Sequence, residues 1–127
     1  KKILIIDDDR AVLDVVEETL KYENFEVRSV SETTDIFSDI EDYKPDVILM
    51  DYILAGINGG EWCHLIKTNP ATSHIPVIMA TAYSKVLNSL GHYGFDAFIE
   101  KPFDLSDLIS TIKECSRKRN PDKINSD

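Results

Sequence analysis

Carboxylates follow two apolar runs of the sequence. Three consecutive aspartates come directly after residues 3–6 (ILII), and Asp51 comes directly after residues 47–50 (VILM). Each run is too short for a helix, and its composition is typical of a strand buried on both faces inside a parallel sheet. Adjacent carboxylates repel one another unless a cation or hydrogen bonds offset their charge. The aspartates therefore form either a cation site or solvated turns and helix caps.

The segments between these residues predict the elements that would position them. Alternating residues 25–30 predict a second strand nearer an edge, and residues 76–80 and 96–100 predict a fourth and a fifth strand. Helical periodicity occurs at residues 10–22, after Ser31, at 61–69, weakly at 83–93, and from Asp104 onward. Because strands and helices alternate five times, the sequence predicts an α/β fold with a doubly wound parallel sheet.

Further polar residues also follow predicted strands. Thr81 comes after the fourth strand and Lys101 after the fifth, as Asp7 and Asp8 follow the first and Asp51 the third. In a flavodoxin-like, three-layer sheet of order 2-1-3-4-5, the first and third strands flank the switch point where a ligand crevice opens. We therefore expect three carboxylates, a hydroxyl and an ammonium to converge at one edge of the sheet.

Composition and charge narrow the class of protein. At 127 residues the chain is long enough for one domain with an ordinary core. Its formal net charge of −9 argues against direct nucleic-acid binding and favours a cation or a basic partner surface. No apolar run approaches the length of a membrane span and no signal-peptide pattern opens the sequence, so we expect a cytoplasmic protein without membrane insertion. Cys63 and Cys115 lack C-x-x-C spacing and are expected to be packed helix residues.

The predicted set of side chains suits phosphoryl transfer. Three carboxylates supply hard oxygen ligands and leave room for water, which fits Mg²⁺ or Mn²⁺ better than zinc. Phosphoryl transfer needs mainly positioning and charge neutralisation, so a metal, a lysine and a hydroxyl form a sufficient set. Asp51, at the centre, is the expected nucleophile, and Thr81 and Lys101 would bind the new phosphoryl oxygens.

The sequence resembles the receiver domains of response regulators in bacterial two-component signalling from Lys2 to Ser116. The motifs that carry the resemblance are ILIIDDD, PDVILMDYILAGINGGE, IPVIMATAY and FIEKPFD. The resemblance implies a CheY-like fold with five strands in the order 2-1-3-4-5 and five helices. It also implies a receiver domain over residues 1–116, followed by a polar tail or linker at residues 117–127.

The resemblance assigns a metal-binding role to four residues. It implies that Asp8 binds Mg²⁺ directly and that Asp7 acts through a water. Asp51 would be both the phosphoacceptor and a metal ligand, and the backbone carbonyl of Ile53 would complete the protein ligands.

The resemblance also assigns phosphoryl-binding and switch roles. Thr81 matches the switch hydroxyl, Phe98 the switch aromatic, and Ala82 the small residue that leaves the phosphoryl group accessible. Lys101 matches the phosphate-pairing lysine, whose peptide bond to Pro102 is expected to be cis.

The partners implied by the resemblance are a sensor histidine kinase or a histidine phosphotransfer protein. Such a domain catalyses only its own phosphorylation and dephosphorylation, and its downstream output protein or domain is not named by the sequence. Many receivers dimerise through the segment between Thr81 and Lys101 and its neighbours. Because that segment is shorter here than the common pattern, the oligomeric state stays open, with a phosphorylation-dependent dimer as one alternative.

Two other functions use related chemistry. A haloacid-dehalogenase-type phosphatase also uses a nucleophilic Asp, a hydroxyl, a Lys and Mg²⁺, but its nucleophile follows the first strand in a D-x-D motif. A flavodoxin-like FMN carrier would need Ser, Thr and Gly in its first loop, where three aspartates would repel a phosphate. Both alternatives fit the sequence less well than a receiver domain.

Overall fold

The computed structural model describes residues 1–54, 58–82 and 94–118. In this part of the chain the elements are β1 (Lys2–Ile6), α1 (Arg10–Tyr22), β2 (Glu26–Val30), α2 (Ile36–Tyr43), β3 (Val47–Asp51), α3 (Gly59–Thr68), β4 (Val77–Thr81), β5 (Ala97–Glu100) and α4 (Leu105–Lys118). All strands are parallel and lie in the order β2-β1-β3-β4-β5, which confirms the predicted fold class and strand order. The helical pattern predicted at residues 83–93 lies outside the described residues, so the fifth helix stays a prediction.

The three central strands are covered by helices on both faces. Every residue of β3 and β4 is buried, and β1 is buried from Ile3 onward. Side chains alternate between two cores, because successive residues of a strand point to opposite faces. One core joins the strands to α2 and α3 through Leu4, Ile6, Ile36, Ile40, Ile48, Met50, Trp62 and Ile66. The other joins them to α1 and α4 through Ile3, Ile5, Leu13, Val16, Val47, Leu49, Leu108 and Ile112.

Aspartate side chains cap the first two helices. The Asp9 carboxylate accepts hydrogen bonds from the backbone N–H groups of Ala11 and Val12, which the first turn of α1 leaves without helical partners. Asp35 caps α2 in the same way. The helix predicted after Ser31 begins at Ile36, with Asp35 and not Ser31 as its capping residue.

The other two helices differ from their predicted bounds at the ends. α3 begins at Gly59 rather than Glu61 and ends at Thr68, with the Asn58 side chain accepting a hydrogen bond from the Glu61 N–H. Glycine has poor helix propensity, so the sequence pattern did not reveal this first turn. α4 begins at Leu105 and extends to Lys118, two residues beyond the predicted end of the domain at residue 116.

Two expectations from composition can be compared with the described residues. Cys63 in α3 and Cys115 in α4 are buried and are not joined in a disulfide, as predicted for packed helix residues. None of the four described helices has the length and apolar character needed to cross a bilayer.

The residue at the end of α2 has a left-handed backbone conformation, and the cost of that conformation to stability can be measured. Lys44 has φ 56° and ψ 62°, a conformation that costs a residue with a Cβ roughly 1–2 kcal/mol. We expect Lys44→Gly to raise the free energy of unfolding by about 0.5–1 kcal/mol. Asn24, at φ 70°, is the matched control, because asparagine tolerates this region and Asn24→Gly should gain less. Urea denaturation of both variants checks the difference, and an equal or smaller gain for Lys44→Gly would contradict it.

Candidate functional site

Three aspartates meet where β1 and β3 end. One carboxylate oxygen from each of Asp7, Asp8 and Asp51 lies within 4.8 Å of the others. Asp7 and Asp51 are buried, with exposed fractions of 4% and 8%, whereas Asp8 faces solvent. The convergence follows from topology, because β1 and β3 are neighbours in the sheet and both end at the same edge.

The Asp7 side chain is held by two hydrogen bonds. Its Oδ2 accepts from Lys101 Nζ at 2.8 Å, and its Oδ1 accepts from the backbone N–H of Asp9 at 2.9 Å. Its own backbone N–H donates to the Val30 carbonyl at the end of β2. Asp7 is therefore tied to three parts of the fold: the cap of α1, the end of β2 and the lysine that follows β5.

Lys101 lies between the two buried carboxylates. Its Nζ is 2.8 Å from Asp7 Oδ2 and 3.3 Å from Asp51 Oδ1, and its backbone N–H donates to the Thr81 carbonyl at 2.8 Å. Burial by itself lowers the pKa of Lys101. The hydrogen bond to Asp7 and the charges of Asp51 and Asp7 outweigh burial, so the pKa is raised and the ammonium stays charged.

The pKa of the Asp51 carboxyl is raised. Burial is the largest cause, and the charge of Asp7 adds to it. The charge and hydrogen bond of Lys101 act in the opposite direction but do not offset these two effects, and the pKa of Asp51 rises to about 6. Burial and the charge of Asp7 thus destabilise the ionised form of Asp51, and a cation bound nearby would stabilise it.

The remaining predicted residues lie in β4 and β5 or directly after these strands, and they differ in exposure. Thr81 ends β4 and is buried, while Phe98 on β5 is 42% exposed and packs edge-to-face against Phe95 with ring centroids 6.0 Å apart. Ala82 and Lys101 border an apolar groove of about 560 Å³ between α1 and the loop that follows β5. The Lys101–Pro102 peptide bond is cis, as predicted.

Ile53 follows Asp51 by two residues, and its side chain is 52% exposed. Its backbone carbonyl belongs to the segment that leaves β3 at the carboxylate edge. The role of that carbonyl as a metal ligand stays a prediction.

Gly59 is a site residue that the sequence reasoning missed. A Cβ at this position would lie 2.0 Å from the backbone carbonyl oxygen of Asp51, a distance that no side chain can occupy. The Gly59 N–H also donates to the Tyr52 carbonyl at 2.7 Å. The start of α3 therefore packs directly on the backbone of Asp51, and only the glycine pair after the loop signalled this close approach.

The arrangement of charges fits a divalent cation. Three carboxylates face one ammonium, so negative charge remains in excess when all are ionised. Carboxylate oxygens with one exposed member and access to water suit a hard cation such as Mg²⁺. Asp7, Asp8 and Asp51 are the side chains that could hold it.

Sequence comparisons identify a family. The chain matches the response regulator receiver domain over residues 3–113. It is 32% identical to the phosphate regulon transcriptional regulatory protein PhoB of Pseudomonas aeruginosa over 123 residues, which cover 95% of this chain and 54% of that protein. It is 30% identical to the DNA-binding response regulator MtrA of Mycobacterium tuberculosis, covering 97% of this chain and 53% of that protein. The chain thus spans about half the length of these curated relatives.

Solved structures give the same result. A CheY-like response regulator receiver domain protein from Methanospirillum hungatei has a TM-score of 0.83 and 30% identity, covering 96% of this chain and 98% of that one. The receiver domain of a signal transduction histidine kinase from Syntrophus aciditrophicus also has a TM-score of 0.83, with 26% identity over 92% of this chain and 90% of that one. Since the family match extends over nearly all of the described fold, the chain belongs to the response regulator receiver domains.

Proposed function

We propose that the chain accepts a phosphoryl group on Asp51 in a phosphorelay. The observation that carries this proposal is the contact of the buried Asp51 carboxylate with the Lys101 ammonium, inside a cluster of carboxylates suited to a cation. The donor is a sensor histidine kinase or a histidine phosphotransfer protein, as the family implies. Family membership also leaves the phosphatase and FMN-carrier alternatives without a supporting observation.

In the transfer step the protein forms one covalent bond, through Asp51. A carboxylate oxygen of Asp51 forms a bond to phosphorus while the bond between phosphorus and the donor nitrogen breaks. Because its pKa is about 6, Asp51 is mostly ionised at neutral pH and can attack without giving up a proton to a base. Lys101 is positioned to pair with a phosphoryl oxygen, and the catalysis is limited to the phosphorylation and dephosphorylation of this chain.

Magnesium is the cofactor we assign to the acidic cluster, with manganese as a substitute. Asp8 and Asp51 would bind the ion directly, Asp7 through a water, and the backbone carbonyl of Ile53 would complete the protein ligands. When bound, the ion neutralises the carboxylates and the oxygens of the incoming phosphoryl group.

Phosphorylation would act as a switch by shifting a population. A phosphoryl group adds up to about two negative charges beside Asp51. Thr81 would donate a hydrogen bond to it, and Ala82, as the small residue of the family pattern, would leave room beside it. Inward rotation of Phe98, now 42% exposed, would then change the surface of β5. A downstream protein or domain, or a second copy of the chain, would bind the changed surface.

The first test is the mass of the intact protein after incubation with acetyl phosphate. We expect a gain of one phosphoryl group that depends on Mg²⁺ and is absent in Asp51→Asn. Asp46→Asn is a control, because Asp46 lies before β3 at the opposite edge of the sheet and should leave the gain intact. The same gain in Asp51→Asn would assign the phosphoacceptor elsewhere. No gain with acetyl phosphate or with a histidine kinase would reject the proposal.

The acidic cluster predicts which aspartates bind the metal. We expect Asp8→Asn to weaken Mg²⁺ binding by about tenfold or more, because a charged ligand becomes neutral. Asp9→Asn is the matched control, since Asp9 is also exposed, lies outside the cluster and keeps a capping oxygen as asparagine. Isothermal titration with Mg²⁺ measures both. Equal losses in the two variants would place the metal elsewhere.

The raised pKa of Asp51 predicts that this carboxylate destabilises the metal-free protein. In the unfolded chain Asp51 ionises near its ordinary pKa of 3.8, whereas in the folded chain it ionises at about 6. The cost is therefore absent below the ordinary value, grows as pH rises between the two values and is complete above about 6. We expect Asp51→Asn to be more stable than the parent by roughly 1–3 kcal/mol near pH 8.

Urea denaturation in EDTA near pH 8 and near pH 4 measures this difference. The advantage of Asp51→Asn should shrink at the lower pH and also when Mg²⁺ replaces EDTA near pH 8, because the ion stabilises the ionised parent. A parent that is more stable than Asp51→Asn near pH 8 without metal would contradict the prediction.

A further inference from the structure

The lysine of the site comes directly after β5, the shortest strand of the described sheet. β5 has four residues and is an edge strand of the described sheet, where it pairs with β4 from Ile78 opposite Ala97 to Thr81 opposite Glu100. Lys101 follows directly. A slip of one residue would move the backbone by about 3.3 Å and turn each side chain to the other face. The location of the Lys101 ammonium therefore depends on the register of β5.

Asp96 fixes the amino end of this strand with two hydrogen bonds to one residue. Its backbone N–H donates to the Val77 carbonyl at 2.9 Å, and its side-chain Oδ2 accepts from the Val77 N–H at 2.8 Å. Both backbone polar groups of Val77, the first residue of β4, are thus bonded to Asp96. At the other end of β5, the Lys101 N–H donates to the Thr81 carbonyl.

Lys67 on α3 holds Asp96 in this position. Its Nζ donates to Asp96 Oδ2 at 2.9 Å and to the Ile75 carbonyl at 3.0 Å, and its side chain is only 15% exposed. Gly94 lies against the Lys67 stem with φ 89°, and a Cβ there would be 3.1 Å from Lys67 Cβ. The chain entering β5 is therefore fastened to both α3 and β4.

We propose that Asp96 is a positioning residue for the phosphoryl site: supported by Lys67, it sets the register of β5 and so places the Lys101 ammonium between Asp7 and Asp51. This inference rests on the proposed function. Asp96 lies at the end of β5 opposite to the site, so it acts through Lys101 and contacts neither phosphoryl group nor metal. The essential group is the carboxylate oxygen that accepts from the Val77 N–H, since the Asp96 side chain is 41% exposed and its ion pair with Lys67 contributes little by itself.

The test compares rates of phosphoryl gain from acetyl phosphate with Mg²⁺, well below the unfolding temperature. We expect Asp96→Ala to slow the gain by about tenfold, because a small displacement of a positioning group is costly. Asp96→Asn keeps an oxygen for the Val77 N–H and should stay within about twofold of the parent. Asp42→Ala is the matched control, because it also removes an ion pair between a helix and an edge strand, from α2 to Arg28 on β2.

A double-variant cycle separates positioning from general damage. If Asp96 acts through Lys101, Asp96→Ala should have little further effect in a Lys101→Ala background. An equal loss in both backgrounds, or an equal loss in Asp42→Ala, would overturn the proposal.

Amide hydrogen exchange supplies a readout that does not depend on phosphorylation. In Asp96→Ala the N–H of Lys101 should exchange at least about tenfold faster, since its bond to Thr81 weakens when β5 loses its anchor. A parent that takes up no phosphoryl group would reject the proposed function, and the exchange experiment would still decide this inference. Unchanged protection of the Lys101 amide in Asp96→Ala contradicts it.

Discussion

The contact of one ammonium with two buried carboxylates is the interaction on which the rest of the site depends. Asp7 and Asp51 would repel each other strongly in a poorly solvated position, and Lys101 reduces that repulsion from 2.8 Å and 3.3 Å. The compensation is incomplete, because the pKa of Asp51 still rises to about 6. The fold thus maintains a local excess of negative charge, which makes cation binding and a change of charge at Asp51 energetically important.

The sheet makes this contact possible because it brings together charged residues that are far apart in the sequence. β1 and β3 are buried on both faces and contribute the carboxylates, while the lysine follows β5, an outer strand of the sheet. Their side chains meet because the carboxyl ends of parallel strands lie on the same side of the sheet. Because residue 59 is a glycine, α3 can begin against the carbonyl of Asp51 and pack directly on the backbone of this aspartate. Among the described residues, buried strands and the start of α3 therefore hold the backbone of the site.

Much of the fold and the candidate site could be predicted because its signals are local. The apolar runs before Asp7 and Asp51 identified both the strands and the acids, whereas the cis peptide between Lys101 and Pro102 was expected from the family resemblance. Two features with weak signals were missed. The glycine pair at residues 59 and 60 does not by itself show which backbone approaches Gly59, and Asp35 resembles the other polar residues of its loop. Roles such as metal ligation by the Ile53 carbonyl depend on a bound ion and could be assigned only by resemblance.

The edge strand β5 links the chemistry of the site to its surface. It carries the exposed Phe98, and Lys101 follows it directly, so a movement of Lys101 toward Asp51 would pull on the same short segment that displays the aromatic ring. A strand embedded between two neighbours would resist such a movement, because it would have to break hydrogen bonds on both sides. Among the strands that the structure describes, β5 is paired with β4, and Asp96 anchors its amino end. If Asp51 accepts a phosphoryl group as we propose, an anchored β5 would keep its register while its carboxyl end and Phe98 move.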